Sequence, residues 1–352
     1  MKSRCASVLI SLIVIGWVGS QPSTAAQETE KKPVAQPSVV QQPDEFQQTM
    51  TRGRTLLRQG RIDEAMNEYW KAAKLRDDKC AECFQTIGQI YFQLGRLKEA
   101  AALFRQAIAL KPPNEAEINN VLGVALYLQN DKQAYEEAAV ALQRSIELSG
   151  GKVATAYYNL GFALIKSGKE EAGVNALKKF LELQPSSPDA SQARAVIANT
   201  RMVDLRVAAS FSVKSSTGAD LVLEKHRGKI VLLDFWATWC IPCRADIPEV
   251  RKIWKQYGGD QFLIIGISLD SNRALFDGYV KEEQLTWPQY YDGLGWGNAL
   301  ARLYSVYAIP HTLLIDQDGV IQATGLRGEE LSAKVDELLK KLPKPGAGNS
   351  KK

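Results

Sequence analysis

A 34-residue interval constrains this chain more than any other feature. From Ala81 to Asn114, Phe84, Ile87, Gly88 and Tyr91 fall at helical spacing on one face, Ala100, Phe104 and Ala107 on the next, and Pro112 closes the unit. The pattern recurs on both sides. Phe46 to Lys79 carries Gly53, Leu56, Ala65, Tyr69 and Ala72; Ala116 onward carries Leu122, Gly123 and Leu126; Ala154 onward carries Tyr157, Leu160, Gly161, Leu164, Leu177, Phe180 and Pro185. One helix pair cannot bury its apolar face alone, so four such units predict a stack with a continuous core and a concave groove. Asp189 to about Leu205 reads as a last helix that caps the stack and leads onward.

A second pattern takes over downstream. Val231-Leu232-Leu233-Asp234-Phe235-Trp236-Ala237 is an apolar strand that runs into Trp239-Cys240-Ile241-Pro242-Cys243-Arg244. Cysteines three apart on a first helical turn share a face and can close or reopen a small disulfide ring. The helix N-terminus favours thiolate at the first sulfur, which makes Cys240 the candidate attacking group and Cys243 the resolving one. Ile230 to Trp236, Phe262 to Leu269 and Thr312 to Ile315 are the expected central strands.

Both halves resemble known families. The 34-residue units resemble tetratricopeptide repeats, whose groove usually takes a peptide or protein. Roughly Phe211 to Leu339 resembles the thioredoxins, and among them the extracytoplasmic TlpA/ResA-like reductases. Phe235 to Cys240 is similar to that family's strand-to-active-site run, Pro248 to its helix-kinking proline, Tyr307-Ala308-Ile309-Pro310 to its cis-proline loop, and Thr312 to Gly319 to the strand and hairpin that follow. The resemblance implies that Pro310 is cis and that the backbone of Ile309 pairs with an extended substrate. It also puts Trp239, Ile241 and Pro242, with Ile309 and Pro310, on the substrate-binding side. The implied chemistry is thiol-disulfide exchange with protein substrates, tilted toward reduction, with no cofactor and with recycling by a membrane or periplasmic electron donor.

Two acids are candidates for moving the proton. Asp234, six residues before Cys240 among apolar neighbours, is placed for a raised pKa and matches the buried aspartate of cytosolic thioredoxins. Asp246, three after Cys243, matches a position where the reductase group usually carries glutamate; a first-turn acid favoured by the helix dipole is the plainer reading. His311 reads as a turn residue, and two histidines in the chain give little support to a metal site. Cys80 and Cys83 repeat the spacing without a preceding strand or distal proline, and are expected to form a structural disulfide, a second redox couple being the alternative. A repeat scaffold with a thioredoxin-fold binding module, or a peroxiredoxin-like thiol peroxidase, are the rival functions. The peroxidase wants Pro-x-x-x-Thr-x-x-Cys, but Ala237 stands three before Cys240.

The ends complete the plan. Lys2 and Arg4, the apolar run from about Ala6 to Gly19, and small residues through Ala26 read as a cleaved secretory signal, with an uncleaved anchor as the alternative. Removing it takes Cys5 and leaves two cysteine pairs, which suits a periplasmic or secreted protein. With 45% hydrophobic residues and a net charge of +5 without basic clusters, the 352-residue chain has ample core and no signature of nucleic-acid binding. The expected fold is an α-helical repeat solenoid followed by an α/β thioredoxin-like fold. Its expected segments are a signal at 1–26, a tether at 27–45, repeats at 46–187, a capping helix and linker at 188–205, a thioredoxin-like domain at 206–342 and a loose tail at 343–352.

Overall fold

A computed structural model describes residues 44–342. The expected signal, most of the tether, Cys5 and the tail lie outside the described residues. The chain divides into two compact units that part between Leu183 and Gln184.

The first unit is built of helix pairs. α1 (Glu45–Arg58) and α2 (Ile62–Lys74), α3 (Ala81–Gln93) and α4 (Leu97–Ala109), α5 (Glu115–Tyr127) and α6 (Lys132–Leu148), and α7 (Ala154–Lys166) and α8 (Glu170–Leu183) follow one another along the chain. Asp44 caps α1 by accepting from the Gln47 N–H at 2.8 Å, so the first helix begins just ahead of Phe46. A glycine lets the two helices of a pair approach closely. A Cβ at Gly123 would meet Leu142 at 2.4 Å, and one at Gly161 would meet Leu177 at 2.5 Å. Tyr69, Phe104, Leu142 and Leu177 are buried, which is why these units read so plainly in sequence.

The second unit opens with α9 (Ala190–Ala198), the helix expected to cap the repeats. It is grouped with the C-terminal unit, where Gln192 Oε1 accepts from the Val207 N–H at 2.7 Å and Ser191 Oγ from the Ser210 N–H at 2.9 Å. A hairpin of β1 (Ser212–Lys214) and β2 (Asp220–Val222) follows, then β3 (Ile230–Trp236), α10 (Ile241–Tyr257), β4 (Phe262–Ser268) and α11 (Arg273–Glu282). β5 (Gln289–Tyr291), α12 (Ala299–Leu303), β6 (His311–Ile315), β7 (Ile321–Thr324) and α13 (Gly328–Lys341) complete it.

The sheet order is β5-β4-β3-β6-β7, with β3, β4 and β5 parallel and β6 and β7 antiparallel to their neighbours. β3 and β4 are buried along their whole length, as strands covered on both faces must be. Register then places the chemistry: Asp234 lies opposite Gly266 on β4 and Thr312 on β6, and Phe235 lies opposite His311. Pro310 therefore stands at the end of the sheet from which the chain leaves β3 toward Cys240. Among the described residues no helix is long and apolar enough to cross a membrane.

Candidate active site

Cys240 and Cys243 are joined in a disulfide, Cα–Cα 5.2 Å, at the start of α10. Cys240 is the N-cap: its Sγ accepts from the Cys243 N–H at 3.2 Å, and Pro242 occupies the first turn, where a missing N–H costs nothing. The sulfur thus meets an unpaired helix amide, the arrangement that stabilises a thiolate after reduction. Pro248 lies inside α10, as expected from the sequence.

The sulfurs themselves are almost covered, but their flanks are open. Cys240 is 5% exposed and Cys243 3%, whereas Trp239 is 53% exposed and Ile241 78%. The Ile309–Pro310 peptide is cis, and Tyr307 just before it is exposed. These residues offer an apolar rim beside a shielded disulfide.

Asp234 is buried on β3, and burial pushes its carboxyl up to about 7, with the negative charge of Asp246 adding to the rise. A buried acid poised near neutrality can take or give a proton there. Asp246 itself is ion-paired: Arg327 Nε and Nη2 donate to its two oxygens at 2.6 and 2.9 Å. His311 begins β6 with its ring 6.3 Å from that of Phe235, and burial followed by the nearby Arg206 lowers its pKa.

Several supporting residues carried no sequence signal of their own. Asp270, buried just after β4, accepts from the Thr238 N–H at 3.1 Å and Thr238 Oγ1 at 2.7 Å, anchoring the loop that leads to Cys240. Ser268 Oγ also donates to it at 2.8 Å, and the Ser268 carbonyl accepts from buried Asn298 at 3.2 Å. Asn298 and Asp292 in turn hold a glycine-rich turn, and Trp296 on that turn stands with its ring centre 6.1 Å from that of Trp239. Trp296 and Leu294 are half or more exposed, so the rim extends beyond the residues that motif reading marked. Only the glycine spacing around Trp296 hinted at a special turn.

Cys80 and Cys83 also form a disulfide, at the start of α3. It lies in the repeat core, with Cys83 Sγ 3.7 Å from Met50 Sδ.

Comparison with known proteins follows the same division. The AhpC/TSA family matches residues 206–324, and tetratricopeptide repeat families match 88–130 and 154–187. The chain is similar to the thiol-disulfide oxidoreductase ResA of Bacillus thuringiensis subsp. konkukian, 32% identical over 136 residues that make up 38% of this chain and 76% of that protein. It is also similar to the thioredoxin-like protein YneN of Bacillus subtilis, 36% identical over 122 residues, 33% of this chain and 66% of that one. A solved thiol-disulfide oxidoreductase from Bacteroides fragilis aligns at 32% identity and a TM-score of 0.36, over 38% of this chain and 99% of its own.

Proposed function

We propose the following for a chain that belongs to the ResA-like thiol-disulfide oxidoreductases and carries tetratricopeptide repeats ahead of its thioredoxin-like domain: it reduces disulfides of protein substrates outside the cytoplasm, with Cys240 as the attacking sulfur and Cys243 as the resolving one. The observation that carries this reading is the disulfide at the start of α10, shielded itself but flanked by exposed Trp239 and Ile241.

In the reduced enzyme the Cys240 thiolate attacks one sulfur of a substrate disulfide, and the other substrate sulfur leaves and takes a proton from solvent. A mixed disulfide remains. Cys243 then gives its proton to the Asp234 carboxylate and attacks Cys240 Sγ, and the substrate's second sulfur departs as thiolate. The substrate has gained two electrons and the enzyme holds the oxidised pair. A membrane or periplasmic dithiol donor returns those electrons. Ile309 and Pro310 present the backbone edge along which an extended substrate lies, and Trp239, Ile241 and Pro242 contact its side chains. The repeats supply a second protein-binding surface.

The extracytoplasmic setting is supported by the charged and apolar start of the sequence and by two disulfides among the cysteines of the described residues. The AhpC/TSA match favours one second reading, a thiol peroxidase. The threonine that such a peroxidase places three residues before its cysteine is Ala237 here. Both readings meet one experiment. Cys243→Ser should accumulate reducible mixed disulfides with partners in the native compartment, and Cys240→Ser/Cys243→Ser should accumulate none. Absence of any trapped partner, together with turnover of hydrogen peroxide but not of protein disulfides, would replace the reductase by the peroxidase.

A further inference from the structure

Arg327 belongs to neither the dithiol motif nor the repeat pattern, yet it touches the reactive turn at two points. It is the N-cap of α13, at the far end of the unit's sequence. Its fork onto Asp246 holds both carboxylate oxygens, and Nη2 also donates to the Pro242 carbonyl at 3.3 Å. Pro242 lies between the two sulfurs. Asp246 is the less exposed partner, its side chain 22% exposed against 44% for Arg327. An exposed single-point ion pair would contribute little, but a planar fork fixes direction as well as charge.

The acid that Arg327 holds is also the charge that acts on Asp234. Several charged groups on the surrounding elements have partners of their own. On α10, Arg244 lies over the Tyr279 ring, and Glu249 accepts from Ser332 of α13 and pairs with Lys252 at 3.5 Å. At the end of β4, Asp270 is bonded to Thr238, and on β6 burial and Arg206 lower the pKa of His311. Arg327 is the cation bonded directly to Asp246.

We propose that Arg327 is a positioning residue for the resolving step: by forking onto Asp246 and reaching the Pro242 carbonyl, it offsets the acid that acts on Asp234 and fixes the turn between the two sulfurs. The inference rests on the reading of Cys243 as the resolving thiol and Asp234 as its base. With Arg327 present, Asp234 can become a carboxylate near neutral pH and receive the Cys243 proton. Without it, the bare charge of Asp246 opposes that ionisation.

The test is the pH dependence of resolution in the full-length protein, followed by mixing reduced enzyme with a disulfide-bonded model peptide and trapping the mixed disulfide in acid at successive times. In the unaltered protein the resolving rate should rise with pH through a midpoint near neutrality. Arg327→Gln should move that midpoint upward by about half a pH unit or more, slowing resolution about threefold on the acid side of the midpoint. Arg327→Lys, which keeps the charge, should leave the midpoint near its original place. Asp246→Asn should move it down, and Asp246→Asn/Arg327→Gln should return it to the original value or below. A general loosening of the fold would lower the rate at every pH without moving the midpoint. An unmoved midpoint in Arg327→Gln overturns this inference alone, provided that Cys243→Ser still traps partners. A resolving step without a midpoint near neutrality overturns it together with the role of Asp234.

Discussion

Cys80–Cys83 and Cys240–Cys243 close the same ring at the same place on a helix. Both pairs have Cα atoms 5.2 Å apart, both first cysteines are N-caps, and both accept from the second cysteine's N–H, at 3.1 and 3.2 Å. Burial does not separate them either, since Cys80 and Cys240 are each 5% exposed. What differs is the company. Cys240 follows a buried strand, stands between exposed Trp239 and Ile241, and shares a sheet end with a cis-proline. Cys80 follows the turn at Asp77 and Asp78 and encloses Ala81 and Glu82, and Glu82 is tied to Arg54 of α1 at 2.7 Å. Cys83 Sγ lies against Met50 Sδ in an apolar core, and we propose that this pair is structural. The spacing and the helix start create the possibility of redox chemistry, and the surroundings decide whether a substrate can use it.

The sharpest way to break this contrast is to remove each pair and measure disulfide reductase turnover. Cys240→Ser should lose activity by about a thousandfold or more, because it removes the proposed attacking sulfur. Cys80→Ala/Cys83→Ala should retain activity within about twofold. Loss of activity in the second variant with its fold intact would make the upstream pair a working partner of the first.

The buried acid is the next difference, for nothing comparable accompanies Cys80. Asp234 keeps its proton in the folded protein up to about pH 7, while an unfolded aspartate releases it near pH 4. The folded form binds more protons between those values, so this site's contribution is fully present below about pH 4 and is lost as pH rises through about 7. Asp234→Asn should therefore be more stable than the original chain at pH 8 by on the order of a few kcal/mol, and the gain should vanish near pH 4. Urea unfolding at the two pH values, in the oxidised state, measures it. An equal difference at both would show that Asp234 ionises normally.

A smaller effect belongs to the upstream pair. Closing a four-residue ring restricts the unfolded chain by about 2 kcal/mol, so Cys80→Ala/Cys83→Ala should lose about that much in denaturant unfolding of the repeat unit. No loss would mean that Cys83 against Met50 packs as well without the bond.

Most of this comparison was legible in the sequence because it depends on local spacing. The glycine and aromatic positions of the repeats, the apolar run of β3, and the strand, dithiol and proline all lie within short stretches. The helix over Ala190–Ala198 was legible from its place along the chain, whereas its hydrogen bonds to Val207 and Ser210 depend on a fold-back that sequence order does not reveal. The supporting residues at the site escaped for the same reason. Arg327 meets Asp246 from 81 residues away, and Asp270 meets Thr238 from 32, so neither pair has a local pattern. Asp246 read as a first-turn acid suited to the helix dipole, but its geometry is set by the distant arginine.

Trp296 gives the finest test of why one dithiol turn faces a substrate. Its ring stands 6.1 Å from that of Trp239 and is half exposed, on a turn that carries Gly293, Gly295 and Gly297. Asp292 accepts from the Ala299 N–H at 2.9 Å, and Asn298 reaches Ser268, whose hydroxyl bonds the Asp270 that anchors Thr238. The second tryptophan is thus held relative to the loop that presents the first. An exposed aromatic on a fixed support can add apolar contact to a protein substrate without touching the exchanging sulfurs. Trp296→Ala should raise KM for a protein disulfide about fivefold, which corresponds to about 1 kcal/mol, and leave kcat nearly unchanged. A small symmetric disulfide, too short to reach the rim, should be reduced at the original rate. If kcat falls instead, or the small disulfide suffers equally, Trp296 supports the geometry of Cys240 rather than the grip on the substrate, and the apolar rim ends at Trp239 and Ile241.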